Sequence, residues 1–192
     1  VSVALQVCDS LAEAHERGLV HRDLKPANLF MARIGCDPHF VKVLDFGFAE
    51  LIRRLRVAGD ASTPATVRVA GTPAFMAPET LLEEEVDARA DLYQLACTLF
   101  YLLTGHLVFE RPSAVAMVLA QVHEPAPPVS TRTSQPIPPD LEAIIARCLE
   151  KQPKDRFRSA EALAVALRKV RFDSTLPRGQ RSLPAIEHAW LG

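Results

Sequence analysis

The 192-residue sequence predicts an α+β fold that is mostly α-helical. Three observations lead there. Apolar residues recur at helix spacing in several separate segments. One of these, spanning about residues 87–103, is apolar nearly all round, as suits a helix in the middle of a core. Only two short stretches, Leu29–Ile34 and residues 40–44, read as strands.

Taken in order, the chain opens with a helical pattern to about residue 17. Val3, Val7, Leu11 and Ala14 recur at helix spacing, and Gly18 stops it. The two strand candidates follow. Residues 57–69 are rich in Ala, Thr, Ser, Gly and Pro without periodicity and read as a loop. After the apolar helix, a further helical pattern covers residues 113–122. Residues 125–139 carry six prolines, which dictates loop or polyproline II. A spacer between helices is the reading preferred over a proline ligand for an aromatic groove. Leu141, Ile144, Ile145, Cys148 and Leu149 then form an apolar stripe beginning just after Pro139 and Asp140. Leu163, Ala166, Leu167 and Val170 form the last stripe, with Ser159 as N-cap and Glu161 in its first turn. From Arg171 the pattern dissolves into a polar tail.

Composition narrows the function classes. Hydrophobic residues at 48% and charged residues at 23% describe a globular domain long enough to bury a core. The net charge of −1 and the lack of any polybasic run argue against nucleic acid or acidic membrane as partner. The longest apolar stretch, residues 92–103, is interrupted by Gln94 and Thr98 and is too short to span a bilayer, so no membrane segment is expected. No signal peptide is expected, and Val1 in place of Met suggests a fragment. Cys8, Cys36, Cys97 and Cys148 are scattered with no C-x-x-C pair, which favours reduced thiols and a cytoplasmic location. The six His residues show no H-x-x-x-H spacing, so no zinc cluster is expected.

Three motifs carry chemistry. His21-Arg22-Asp23-Leu24-Lys25-Pro26-Ala27-Asn28 matches H-R-D-L-x-x-x-N, Asp45-Phe46-Gly47 matches D-F-G, and Ala77-Pro78-Glu79 matches A-P-E. A single triplet is weak, but eleven specified letters in the correct order are a strong signal. Over roughly residues 1–170 the chain resembles the bacterial, eukaryotic-like (Hanks-type) serine/threonine protein kinases.

The resemblance implies the large, C-terminal lobe of that fold, with a small β-hairpin at the catalytic cleft, and residues 171–192 as a tail or linker to a further domain. It implies transfer of phosphate from ATP to Ser or Thr hydroxyls of protein substrates. That chemistry needs alignment and charge neutralisation more than covalent help. Asp23 would accept or orient the substrate hydroxyl proton. Asn28 and Asp45 would hold Mg²⁺, a hard cation that takes oxygen ligands. Lys25 would neutralise the moving phosphoryl group, and Phe30 would sit beneath the adenine ring.

Gly71-Thr72-Pro73 followed by Phe75-Met76-Ala77 resembles the segment that shapes the substrate groove. Phe75 replaces the usual Tyr, and Thr72 would bond Asp23 and Lys25. Asp91 resembles the aspartate that ties down the catalytic-loop backbone, and Arg156 the arginine that pairs with Glu79. Arg22 would receive a phosphate placed on the activation loop, at Thr66 first and Thr63 second. Ala27 stands where a Glu would attract an upstream arginine, so no strong preference for such peptides is expected from that position.

These 192 residues contain no G-x-G-x-x-G loop and no V-A-I-K lysine. The small lobe is therefore expected to be absent, and the chain to be inactive alone. The alternatives are a non-catalytic module that binds protein partners and, with least support, a metal hydrolase using Asp23 and Asp45. The presence of Asp23, Asn28 and Asp45 together argues against a binding-only role.

Overall fold

A computed structural model describes residues 1–34, 37–46 and 73–171. Gly47, Thr63, Thr66, Gly71, Thr72, Cys36 and the tail from residue 172 lie outside the described residues.

Among the described residues, six α-helices accompany one two-stranded antiparallel sheet. They are α1 (Ser2–Glu16), β1 (Leu29–Ile34), β2 (Asp37–Val43), α2 (Pro78–Leu81), α3 (Arg89–Thr104), α4 (Ala114–His123), α5 (Pro139–Cys148) and α6 (Ala160–Arg168). Short 3₁₀ turns at Pro26–Asn28, Pro73–Phe75, Val129–Arg132 and Pro153–Asp155 join them.

The helix ends follow the local chemistry. Gly18 adopts φ 72° and Gly105 φ 75°, the left-handed conformation that closes a helix at little cost only for residues without a Cβ. The amide of Gly105 donates to the Tyr101 carbonyl at 2.8 Å. Ser113 and Ser159 cap α4 and α6, their hydroxyls accepting from the amides of Ala116 and Ala162 at 3.2 and 3.3 Å. Pro139 opens α5, where its missing N–H costs nothing.

α3 is the centre of the core. Every residue from Ala90 to Phe100 is buried, as its all-round apolar character requires. Leu11 of α1, Leu24 of the loop after α1, Ile145 of α5, and Leu163 and Leu167 of α6 belong to the same buried cluster. On α1 the buried face is Ala4, Val7, Cys8, Leu11 and Ala14, with Val3 only partly covered.

Two boundaries differ from the sequence expectation. β2 starts at Asp37 and ends at Val43 because it pairs along the whole of β1, from Leu29 opposite Val43 to Ile34 opposite Asp37, with a bulge between Ala32 and Ile34. The proline-rich stretch is loop from residue 125 to 138 except for the single turn Val129–Arg132, whose Val129 is buried, and its last proline, Pro139, belongs to α5. No helix among the described residues is long and apolar enough to cross a membrane.

Candidate active site

The site is assembled on the loop between α1 and β1 and on the end of β2. Asp91, near the start of α3, holds the first part. Its carboxylate accepts from the backbone amides of His21 and Arg22, each at 2.8 Å, and lies 2.8 Å from His15 Nε2. Asp91 is fully buried, so these partners supply the hydrogen bonds that water gives an exposed carboxylate. The same anchor holds Arg22 in the left-handed region, φ 66°.

Two more polar residues of α3 continue the anchor. Gln94 accepts from the Leu24 amide at 2.7 Å and donates to the Arg22 carbonyl at 2.9 Å. Thr98 Oγ1 lies 3.5 Å from the Leu24 carbonyl. Asp91, Gln94 and Thr98 recur at i, i+3 and i+7, one face of the helix. That face satisfies the backbone of a loop that forms no regular ladder of its own. The resemblance gives Asp91 this partner in advance, whereas Gln94 and Thr98 read only as polar interruptions of an apolar run, with no partner.

His21 joins the two halves. Its Nδ1 accepts from the Asp23 amide at 3.2 Å, so the hydrogen-bond network assigns the proton to Nε2, which donates to the Leu44 carbonyl at 2.7 Å. The Leu44 amide in turn donates to the Asn28 carbonyl at 2.9 Å. The Phe46 ring lies 4.7 Å from the His21 ring, tilted by 59°. Asp45 is thus bracketed by two residues tied to the 21–28 loop. Its own backbone is left-handed, φ 63°, and its side chain is exposed.

Within the loop, Lys25 Nζ lies 2.8 Å from Asp23 Oδ2. Asn28 Nδ2 donates to the Asp23 carbonyl at 2.7 Å and approaches Asp23 Oδ2 at 3.3 Å. Both contacts use the amide nitrogen of Asn28, which leaves its oxygen as the atom available to a cation. The Asn28 amide oxygen and the Asp45 carboxylate are the oxygen donors that a hard divalent ion takes. Phe30 on β1 is 56% exposed beside this loop, and Ala27 is exposed.

Glu79 and Arg156 meet in a buried, two-pronged pair at 2.6 and 2.8 Å. Thr63, Thr66 and Thr72 lie outside the described residues. The sequence reading also missed a group beside the Pro73–Phe75 turn, in which Tyr93, Gln121 and Lys151 bond one another.

Comparison with known proteins points the same way. The family model described as the protein kinase domain matches residues 1–167. The chain is 46% identical over 169 residues to the serine/threonine-protein kinase Pkn1 of Myxococcus xanthus, covering 87% of this chain and 23% of that protein. It is 40% identical over 188 residues to pkn3 of the same organism, covering 95% of this chain and 34% of that protein. It is 36% identical over 171 residues to PknB of Mycolicibacterium smegmatis, covering 88% of this chain and 26% of that protein. The chain therefore spans between 23% and 34% of the length of these relatives.

Proposed function

Because the chain belongs to the bacterial Hanks-type serine/threonine protein kinases, we propose that it is the large lobe of an enzyme that phosphorylates Ser and Thr hydroxyls of proteins from ATP. The observation that carries this reading is the Asp23–Lys25–Asn28 cluster held next to Asp45 by the His21–Leu44 and Leu44–Asn28 bonds.

Each residue has a distinct task. Asp23 orients the substrate hydroxyl and takes its proton as the new O–P bond forms and the bond to the leaving ADP breaks. Lys25, paired with Asp23, neutralises charge on the transferring phosphoryl group. Asn28 and Asp45 are the residues that would hold Mg²⁺, which offsets phosphate charge when bound. The exposed Phe30 offers an apolar face for the adenine ring. Arg22 would receive the phosphate of an activated Thr66 or Thr63, and Thr72 would bond Asp23 and Lys25.

The grip on the ATP phosphates would come from residues outside these 192, since the chain has neither the Gly-rich loop nor the β3 lysine. The isolated chain is accordingly expected to lack robust turnover. A cytoplasmic location fits the buried thiols. Ala27 has no charge to offer an upstream arginine, so any such preference arises elsewhere.

The test is a phosphotransfer assay on a two-lobed protein in which a Gly-rich ATP-holding lobe precedes this chain. Asp23→Asn is expected to lower kcat by about 10²-fold or more, and Asp45→Asn to raise the Mg²⁺ requirement. Undiminished turnover in Asp23→Asn, or robust turnover by the purified 192-residue chain with contaminating kinases excluded, would overturn the reading.

A further inference from the structure

The strongest feature outside the catalytic loop is a buried polar relay that ends on the Pro73–Phe75 turn. Gln121, on the last turns of α4, is fully buried. Its amide nitrogen donates to the Ala74 carbonyl at 2.5 Å and reaches the Pro73 carbonyl at 3.4 Å. Its amide oxygen accepts from the Tyr93 hydroxyl at 2.5 Å. That hydroxyl bond decides which way the amide faces, because Oε1 is occupied on the α3 side and Nε2 must point at the turn.

Lys151, in the connection between α5 and α6, closes the relay. Its Nζ donates to the Gln121 backbone carbonyl at 2.8 Å and to the Tyr93 hydroxyl at 3.3 Å. It also stands 4.6 Å from the Phe109 ring centre and 5.6 Å from that of Tyr93. A cation at one of the final carbonyls of α4 is favourably placed against the helix dipole. Burial lowers the Lys151 pKa to about 8, which agrees with an amine held by the protein more than by water.

We infer that Gln121 is a positioning residue for the Pro73–Phe75 turn, with Tyr93 and Lys151 fixing its amide, and that this relay sets the shape of the groove that receives the peptide substrate. The inference rests on the kinase reading, in which that turn faces the substrate. Apolar packing of Ala74 into the core supports the turn as well. Its internal bond is the Met76 amide to the Pro73 carbonyl at 3.1 Å, and Phe75 meets α3 only edge-on, 6.2 Å from the Tyr101 ring. The Gln121 bonds to its two carbonyls add a directional hold that apolar packing does not supply. Gln121 bonds neither Asp23 nor Lys25 directly, so its loss is expected to act first on substrate binding.

Two readouts test this. The first is amide hydrogen exchange across residues 74–76 in the purified chain. Gln121→Met and Tyr93→Phe are both expected to speed exchange by about 5- to 10-fold, the usual worth of one buried hydrogen bond, with exchange in α1 and α6 unchanged. Unchanged exchange at 74–76 in both variants would overturn the relay. The second is kinetics of the two-lobed protein. Gln121→Met is expected to raise KM for peptide by about 5-fold or more on the same grounds, with kcat and KM for ATP nearly unchanged. A fall in kcat without a rise in peptide KM overturns the positioning role. Absence of turnover in the unmutated two-lobed protein overturns the kinase reading instead, and the exchange result then decides the relay on its own.

Discussion

Arg156 presents both of its terminal nitrogens to the two carboxylate oxygens of Glu79, with both side chains buried. The remaining donors of Arg156 are spent on the carbonyls of Arg89, Glu150 and Lys151 at 2.8 to 3.0 Å. The pair thus ties α2 to the start of α3 and to the α5–α6 connection. Its guanidinium also lies 4.9 Å from the Tyr93 ring centre.

Such a pair contributes little over an apolar replacement, but removing one partner strands a buried charge. Glu79→Ala is expected to cost about 3 to 5 kcal/mol of unfolding free energy. Urea denaturation at pH 7 measures it. A loss below about 1 kcal/mol, the range of exposed pairs, would show that water reaches Arg156 and that the pair is not sealed.

Asp91 offers a sharper case, because its two oxygens serve three donors on two other segments, His15, His21 and Arg22. Asp91→Ala leaves the amides of His21 and Arg22 unsatisfied, and each stranded donor costs about 1 to 3 kcal/mol. The left-handed Arg22 loses what holds it, so the loop is expected to relax even where the fold survives. The ¹H–¹⁵N shifts of residues 21–28 are the measurement. A destabilised protein with unmoved loop resonances would mean that the loop holds its own geometry.

Lys151 makes stability depend on pH in a definite direction. Burial lowers its folded pKa to about 8 from the ordinary lysine value of 10.5. Between these values the unfolded chain binds more protons than the folded one, so stability contributed through Lys151 rises with pH. Below pH 8 both states are protonated and the cost of burying the charge is felt in full. The stability of the unmutated chain relative to Lys151→Met is therefore expected to increase from pH 7.5 to pH 10. Comparing the two at each pH cancels the thiols, which titrate in the same region. A constant or falling difference would mean that Lys151 is solvated.

The thiols themselves are expected to be inert. Burial pushes Cys8 and Cys97 up to about 12, with Asp9 adding to the effect at Cys8, and raises Cys148 as well. At pH 8 the reactive thiolate of Cys8 and Cys97 is then about a thousandfold scarcer than in an ordinary cysteine. Alkylation mapped by mass spectrometry is expected to spare Cys8, Cys97 and Cys148 in the native protein and to label them in guanidinium. Rapid native labelling of Cys97, which lies in α3, would contradict the central place given to that helix.

What the sequence by itself determined was local. Periodicity located the helices, Ser113 and Ser159 could be read into their beginnings, and the identities of Asp23, Asn28 and Asp45 followed from motifs whose letters are contiguous. These are legible because helix faces, caps and catalytic loops are written within a few residues of one another. Tertiary structure alone decided how distant groups are satisfied. Gln94 and Thr98 read only as interruptions in an apolar run, and nothing in the sequence singles out Gln121 or Lys151. Burial changed their meaning, since a polar group removed from water must find a partner wherever the fold supplies one. For Gln94 the partners are Arg22 and Leu24, 72 and 70 residues away. For Gln121 they are Ala74 and Tyr93, 47 and 28 residues away. Spacing along the chain carries no trace of such pairings, because the chain's path through the core, and not its local rules, brings these atoms within hydrogen-bond reach.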